Sequence, residues 1–208
     1  MTRTIPPGIR LIGPALLFEQ SKTLVMADLH LGAEASLVNT GVLLPRTQQA
    51  MTMQLIRDLT QRTRPRRIVL NGDIKHDFGT ISEEEWRDVL SVLDELQKAA
   101  PVTVIKGNHD AVLQPILKKR GAAMHPSLLI DGYLIIHGDR APDKESLRAA
   151  RGVVIGHEHP SVVLDDGIRK ERYKCFLIGQ YAGKELIILP STYPLVEGSD
   201  VLREEALG

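Results

Sequence analysis

The sequence predicts an α/β protein of 208 residues in which two mixed β-sheets pack together and are flanked by helices. Three observations predict this class. Short apolar runs alternate with amphipathic stretches, which is the pattern of α/β architecture. The first half alternates strands with helices, whereas the second half is richer in strands. No proline-, glycine- or serine-rich linker separates the halves, so we expect one domain over residues 1–208.

The apolar runs predict eight strands, and the amphipathic stretches predict four helices. In chain order the strands are Thr23–Ala27, Arg67–Asn71, Val102–Lys106, Tyr133–His137, Val153–Gly156, Val162–Leu164, Tyr173–Ile178 and Glu185–Leu189. The helices are Pro45–Gln61, Ser82–Lys98, Ala111–Lys119 and Lys144–Ala150. Proline suits the first turn of a helix, as at Pro45, and Ser82 followed by Glu85 is a capping-box pattern.

Composition excludes several classes of protein. The 26 basic and 26 acidic side chains give zero net charge, which argues against a nonspecific binder of polyanions. Aromatic residues at 4% argue against a base-stacking platform for single strands. The single cysteine, Cys175, excludes a disulfide framework and a cysteine-rich zinc site. We find no signal-peptide pattern and no apolar run of about 18 residues, so we expect a cytoplasmic protein without a membrane partner.

Six of the seven histidines lie in short polar clusters directly after a predicted strand or its turn. The clusters are Asp28-Leu29-His30, Gly72-Asp73 with His76, Gly107-Asn108-His109-Asp110, His137-Gly138-Asp139 and Gly156-His157-Glu158-His159. Ligands of open α/β sheets gather outside the carboxyl ends of the strands. We therefore expect five strand ends to bring carboxylate, amide and imidazole groups to one crevice.

The spacing within two clusters is informative. Asp28 and His30 are two residues apart, as are His157 and His159. In extended backbone such residues point to one side, so each pair is expected to reach a common point. A lone Asp-x-His or Gly-Asp is usually an ordinary turn. The ordered set of five clusters is what makes the hypothesis of a site specific.

The predicted ligands are imidazole, carboxylate and amide oxygen, without thiolate. This set suits Mn²⁺, Fe, Zn²⁺ or Co²⁺. There are enough groups for two ions that share one carboxylate. Two ions about 3.5–4 Å apart clamp an in-line displacement at phosphorus, so phosphoryl chemistry is favoured. A binuclear amide hydrolase is the chemical alternative, but the Gly-Asn-His-Asp element speaks against it.

In this order the clusters resemble the calcineurin-like metallophosphoesterases, whose motifs are D-x-H, G-D, G-N-H-D/E, H and G-H-x-H. The resemblance implies that family's sandwich of two mixed sheets and two metal sites bridged by Asp73. By this resemblance, one metal is held by Asp28, His30, Asp73 and His159. The other is held by Asp73, Asn108, His137 and His157. His109 resembles the family's catalytic histidine, and Asp110 resembles its orienting acidic partner.

Further motifs narrow the resemblance. Residues 28–32, Asp-Leu-His-Leu-Gly, resemble the D-x-H-L-G of SbcD-type repair nucleases. Residues 72–76 are similar to the G-D-x-x-H of the archaeal and eukaryotic double-strand-break nuclease, in which that histidine assists phosphodiester cleavage. Residues 189–201 resemble a tail of small stand-alone SbcD-related phosphoesterases of archaea and bacteria, some encoded beside a DNA ligase and helicase. The length leaves no room for the repair nucleases' DNA-binding cap, which argues against cleavage of intact duplex.

The resemblance implies a phosphodiesterase with two divalent ions, Mn²⁺ foremost and Fe, Zn or Co as alternatives. A hydroxide bridging the ions would attack phosphorus in line. His109 would stabilise the developing charge or protonate the leaving oxygen, and His76 would support that step or position the phosphate. Nucleic-acid ends or nucleotides are the expected substrates, and a DNA-repair protein is the candidate partner. The alternatives are a phosphomonoesterase, a cyclic-nucleotide phosphodiesterase, a subunit active only with a partner, and a noncatalytic scaffold.

Overall fold

The computed structural model describes residues 5–39, 47–79, 81–194 and 198–203. Its framework is a six-stranded mixed sheet and a five-stranded mixed sheet, with a small three-stranded sheet beside them. Helices flank the six-stranded sheet. The predicted α/β class with packed mixed sheets is therefore confirmed, and the small third sheet is an addition that the sequence pattern did not predict.

The elements of the first half alternate between strand and helix. They are β1 Ile9–Ile12, β2 Ala15–Phe18, β3 Thr23–Ala27, α1 Ala33–Asn39, α2 Gln48–Thr63, β4 Arg67–Asn71, α3 Glu83–Ala99, β5 Val102–Ile105, α4 Gln114–Lys119 and β6 Ala123–His125. The six strands form one sheet in sequence order, antiparallel from β1 to β3 and parallel from β3 to β6. The hairpin β1–β2, helix α1 and strand β6 were not predicted.

The second half is richer in strands, as predicted. Its elements are β7 Leu128–Ile130, β8 Tyr133–Ile135, α5 Lys144–Ala149, β9 Gly152–Ile155, β10 Pro160–Asp165, β11 Lys170–Lys174, β12 Leu177–Tyr181, β13 Lys184–Ile188 and β14 Ser199–Asp200. The five-stranded sheet has the order β12-β13-β9-β8-β7, and the small sheet has the order β11-β10-β14.

One predicted strand, Tyr173–Ile178, is wrong. Strand β11 ends at Lys174 in the small sheet, and β12 begins at Leu177 in the five-stranded sheet. Between them the Cys175 amide donates to the Pro160 carbonyl at 3.0 Å. The apolar pattern continues through this point because both flanking segments are extended. It therefore gives no sign that the chain changes sheets.

Two layers of the core lie on the two faces of the six-stranded sheet, and a smaller third cluster includes Leu134 and Val153 of the five-stranded sheet. Leu24 and Met26 of β3 pack in the layer beneath the helices, whereas Val25 and Ala27 pack in the layer between the two large sheets. Successive side chains of a strand point to opposite faces, so a strand buried on both faces needs apolar residues at every position. This explains the unbroken apolar run before the first polar cluster.

The predicted capping box begins helix α3. The Ser82 hydroxyl accepts a hydrogen bond from the Glu85 amide, and the Glu85 carboxylate accepts one from the Ser82 amide, both at 3.1 Å. The same carboxylate accepts from the Asp77 amide at 3.1 Å. The cap therefore also fixes the loop that follows β4. Helix α2 is described from Gln48, so Pro45 lies outside the described residues.

In the part of the chain that the structure describes, no helix has the length and apolar character needed to cross a bilayer.

Candidate metal centre

The five polar clusters lie at the carboxyl ends of β3, β4, β5, β8 and β9. The first three strands are parallel neighbours in the six-stranded sheet, and the last two are parallel neighbours in the five-stranded sheet. Hydrogen bonds continue past the strands: the Asp28 amide donates to Gly72 at 3.2 Å, and the Gly156 amide donates to His137 at 2.8 Å. Because the sheets pack against each other, the clusters meet at one edge of the sandwich.

Seven carboxylate and imidazole side chains form three overlapping groups in which the donor atoms lie within 4.8 Å of one another. The groups are Asp28, His30 and His159, then His30, Asp73 and His109, and finally Asp73, His137 and His157. His30 and Asp73 each belong to two groups, so the three groups make one continuous cluster of potential ligands.

The first group is closely spaced. His30 Nε2 lies 3.2 Å from His159 Nε2, which in turn lies 3.5 Å from Asp28 Oδ1. The Asp28 carboxylate also accepts a hydrogen bond from the His157 amide, at 3.1 Å. Two imidazole nitrogens and a carboxylate oxygen thus converge on one point, and this donor set fits a divalent cation such as Mn²⁺, Fe²⁺, Co²⁺ or Zn²⁺.

The third group includes the predicted amide ligand. His137 Nε2 lies 3.2 Å from Asp73 Oδ2, 3.3 Å from His157 Nδ1 and 3.0 Å from Asn108 Oδ1. The other nitrogen of the ring, Nδ1, lies 3.1 Å from the Asn71 carbonyl oxygen. A carbonyl can only accept, so Nδ1 carries a proton, and Nε2 faces the cluster. Burial lowers the pKa of His137, but the hydrogen bond to Asp73 and the charge of Asp28 raise it to about 9, so without a cation Nε2 is also protonated and a bound cation would replace that proton. The group fits a second divalent cation by the same chemistry.

The charges of the cluster favour a cation at its centre. Burial lowers the pKa of His30 to about 3, with a further contribution from His159, so this imidazole is neutral and able to act as a ligand. Burial opposes ionisation of Asp73, but the hydrogen bond and charge of His137 bring the pKa of that carboxyl down to about 2. Asp73 therefore stays ionised between the two outer groups.

The backbone of the site is not extended, and one prediction from spacing is wrong. Asp28, His30, His157 and His159 all have φ between 43° and 64°, in the left-handed region. Asp28 and His30 still share a group, but His157 and His159 belong to different groups. A left-handed residue breaks the alternation of an extended strand, so a spacing of two does not ensure a common target. Such conformations cost of order 1–3 kcal/mol each and concentrate at functional sites.

Two glycines allow the clusters to approach each other. Gly72 has φ 77°, and a Cβ atom there would lie 2.2 Å from His137 Nδ1. Gly107 does not have a positive φ, but a Cβ there would lie 2.3 Å from Asp73 Oδ1 and 2.4 Å from the Asp73 amide nitrogen. Gly72 thus has the positive φ of a sharp turn, whereas Gly107 is needed because Asp73 leaves no room for a side chain.

His109 has its ring at the edge of the middle group. Its Nδ1 forms a short hydrogen bond with the His76 carbonyl, so Nδ1 carries the proton. Its Nε2 lies 3.7 Å from Asp73 Oδ2, and its amide donates to Asp73 Oδ1 at 3.0 Å. The second nitrogen of His109 is therefore directed at the cluster.

Asp110 does not have the contact that the resemblance implies. Its carboxylate is fully buried and accepts from the Ile74 and Gly107 amides, each at 3.0 Å. Burial raises the pKa of this carboxyl to about 6. In the described residues the His76 carbonyl, not Asp110, is the hydrogen-bond partner that orients the His109 ring. Asp110 instead joins the loops that carry Asp73 and Asn108.

His76 lies beside the cluster, outside the three groups. Its ring centroid is 5.5 Å from that of His30 and 6.1 Å from that of His109. Burial lowers its pKa, and its Nδ1 has no hydrogen-bond partner in the described part of the chain. The lowered pKa favours the neutral imidazole, whose Nδ1 is buried away from solvent.

Two features of the site were missed by the sequence reasoning. The Phe78 ring lies against the His109 ring, with centroids 3.6 Å apart and an interplanar angle of 31°. In the sequence, the only sign of this contact is that Phe78 lies two residues after His76. In addition, the Ser191 hydroxyl donates to the Asp28 carbonyl at 2.8 Å, and the Thr192 amide donates to Ala27 at 2.9 Å. The tail motif, of which residues 195–197 lie outside the described residues, therefore supports the first ligand loop.

A comparison with protein families agrees with this geometry. The model of the calcineurin-like phosphoesterases matches residues 21–206. The chain belongs to this family. It is therefore a metallophosphoesterase, a hydrolase that acts on phosphoester bonds, and its donor cluster fits the divalent metals such enzymes use. No curated protein sequence matches the chain significantly.

A solved structure from Pseudomonas putida shares the fold. A Pseudomonas putida nuclease called MPE aligns with a TM-score of 0.69 and 18% identity, over 93% of this chain and 86% of that one. The Escherichia coli phosphoesterase YfcE aligns with a TM-score of 0.44 and 14% identity, over 88% of this chain and 84% of that one. At 18% identity the likeness to the Pseudomonas nuclease shows a common fold.

Proposed function

We propose that this metallophosphoesterase is a phosphodiesterase that works with two divalent ions, Mn²⁺ foremost. The observation that carries the proposal is the continuous donor cluster, in which Asp73 lies in one group with His30 and His109 and in another with His137 and His157. Asp28, His30, Asp73 and His159 would hold one ion. Asp73, Asn108, His137 and His157 would hold the other. When bound, two such ions polarise phosphoryl oxygens and lower the pKa of water.

His109 is suited to the proton transfer of this reaction. The His76 carbonyl keeps the proton on Nδ1, so Nε2 is the nitrogen that can exchange a proton with substrate. When Nε2 is protonated it can donate to the oxygen of the leaving group. A positioned acid or base of this kind contributes about 10²–10⁴ in rate.

His76 favours diesters over monoesters in this proposal. An acidic side chain at this place would add negative charge beside an anionic substrate, whereas a neutral imidazole can donate to a phosphate oxygen. The ring is close to His109 but outside the ligand groups, so it can contact substrate without holding a metal. Zero net charge predicts weak affinity for long DNA, since few counterions would be released. We therefore propose nucleotides or nucleic-acid ends as substrates.

The choice of substrate is tested with bis-p-nitrophenyl phosphate and p-nitrophenyl phosphate on Mn²⁺-loaded enzyme. We expect the diester to be cleaved faster, and we expect His76→Ala to depress the diester rate while metal content stays at the wild-type value. Efficient cleavage of the monoester with negligible cleavage of the diester would replace this proposal by a phosphomonoesterase.

The metal is tested by chelation, dialysis and reconstitution with Mn²⁺, Zn²⁺, Co²⁺ or Fe²⁺. Chelation should abolish hydrolysis, and Mn²⁺ should restore it. Asp73→Asn should lose both occupancy, measured by elemental analysis, and activity, because a neutral amide bridges two dications poorly. Full activity in excess chelator would rule out the metal mechanism, and retention of both ions in Asp73→Asn would rule out the bridge.

A further inference from the structure

Phe78 is an exposed aromatic residue next to the proposed reaction site. Its side chain is 63% exposed, although one face of the ring lies against His109. Since that face is covered, the exposed area belongs mainly to the opposite face and the ring edge. In the described part of the chain Phe78 is also absent from all three apolar clusters of the core. Packing of the core therefore does not account for this ring.

The segment that carries Phe78 is held in place at the two residues that precede this ring. The His76 amide donates to the Leu31 carbonyl at 2.9 Å, and the Asp77 amide donates to the Glu85 carboxylate at 3.1 Å. The His76 carbonyl accepts from His109. A ring supported in this way keeps its orientation in the free enzyme, so little conformational entropy is lost when a flat group stacks on it.

We propose that the open face of Phe78 stacks on one nucleobase adjoining the scissile phosphate, and that the substrates are therefore nucleotide-bearing diesters. The inference rests on the proposed phosphodiesterase function and names its substrate class. His109, on the covered face of Phe78, faces the donor cluster through Nε2. A phosphodiester at the cluster would thus have its flanking group beside the aromatic ring.

A nucleobase suits this position better than an alkyl group does. Every base has a π-face, and stacking on an aromatic side chain tolerates all sequences. The low aromatic content excludes a long stacking platform, but a single ring is enough for the one nucleotide next to a cleaved bond. The ring would therefore select the end of a strand or a small nucleotide without reading its sequence.

The test compares two diesters that differ only in the bases. The first is thymidylyl-3′,5′-thymidine, and the second is the same dimer with an abasic tetrahydrofuran in place of each nucleoside. Wild-type enzyme should cleave the base-bearing dimer with a kcat/KM at least about tenfold higher, which is within the usual worth of one stacked base. Phe78→Ala should remove this preference, so that kcat/KM becomes equal for the two dimers. Phe78→Trp should retain it.

Leu129→Ala is the matched control, because Leu129 is 51% exposed on the edge strand β7 of the five-stranded sheet. It should leave both substrates unaffected. Equal kcat/KM for the two dimers in the wild type would overturn the stacking proposal while the phosphodiesterase function stands. An equal loss of kcat on both dimers in Phe78→Ala would also overturn it, because Phe78 would then only position His109.

A binding measurement separates failure of the stack from failure of the proposed function. Calorimetry would compare thymidine 5′-monophosphate with deoxyribose 5-phosphate on the metal-loaded enzyme. We expect tighter binding of the nucleotide in the wild type and equal binding in Phe78→Ala. If neither dimer is cleaved, the proposed function fails. If thymidine 5′-monophosphate and deoxyribose 5-phosphate bind equally to the wild type, the stacking proposal is wrong, whether or not the enzyme cleaves the dimers.

Discussion

Replacing Gly107 by alanine would test whether the close approach of two ligand loops is essential to the site. The added Cβ would lie 2.3 Å from Asp73 Oδ1 and 2.4 Å from the Asp73 amide nitrogen. Ordinary contacts begin near 3.4 Å, so one loop must move by about 1 Å. One of the two clashing atoms belongs to the backbone, which cannot rotate away as a side chain can. The displacement therefore falls on Asp73.

The size of the effect follows from this displacement. Forcing an extra methyl group into a packed site typically costs about 1–3 kcal/mol of stability. A misplacement of about 1 Å at a reaction site can cost about 10² in rate. The Gly107 amide also donates to Asp110, so a shift of this loop disturbs the carboxylate that joins it to the loop of Asp73. We expect Gly107→Ala to fold, to lose at least one bound ion and to lose about 10² in diester hydrolysis.

The assay combines thermal unfolding, elemental analysis of the dialysed protein and the rate on bis-p-nitrophenyl phosphate. Gly179→Ala is the matched control, because a Cβ at Gly179 in β12 meets no atom within 4 Å and the residue does not have a positive φ. This control should match the wild type in all three measurements. A Gly107→Ala protein with two bound ions and the wild-type rate would refute the reasoning, since the site would then tolerate the added Cβ atom beside Asp73.

Two further predictions separate catalysis from metal binding and test the charge of a helix surface. His109→Ala should keep both ions and lose roughly 10²–10⁴ in rate, and a missing ion on elemental analysis would make His109 a ligand. Burial and the neighbouring Glu84 raise the pKa of Asp88 to about 6, so ionising this carboxyl destabilises the fold increasingly from pH 4 to 6 and fully above. Asp88→Asn should therefore raise the free energy of unfolding at pH 7.5 but not at pH 3.5, as measured by urea unfolding. Asp94→Asn should lower stability at neutral pH, because Arg120 lowers the pKa of Asp94. A gain in stability in both variants would contradict the opposite pKa shifts of Asp88 and Asp94.

Local sequence was enough to locate the strands that carry the site. Thr23–Ala27 and Arg67–Asn71 are found with the predicted bounds, because each is a run of apolar residues ended by a polar cluster. The capping box at Ser82 and Glu85 is also found as predicted, since its hydrogen bonds span only three residues. Apolar runs and capping boxes depend only on residues that are close in the chain, so the sequence is sufficient to predict them.

The unpredicted elements have weaker local signals. Strands β1 and β2 are four residues each, and β6 has three. The chain crosses from the small sheet to the five-stranded sheet within an apolar stretch, so periodicity could not show the break after Lys174. Short strands are stabilised by pairing with distant partners, and pairing of that kind is decided by the whole fold.

The sequence by itself determined which side chains would gather at the site, because carboxyl ends of adjacent parallel strands share one edge of a sheet. Only the tertiary structure decided how they are grouped. It places His157 and His159 in separate ligand groups, pairs His109 with the His76 carbonyl rather than with Asp110, and lays Phe78 over His109. These contacts depend on left-handed backbone angles and on loops that meet across more than 30 residues of sequence. Residue type and spacing do not determine these angles. The grouping of the site's side chains is therefore fixed only when the sheets have packed.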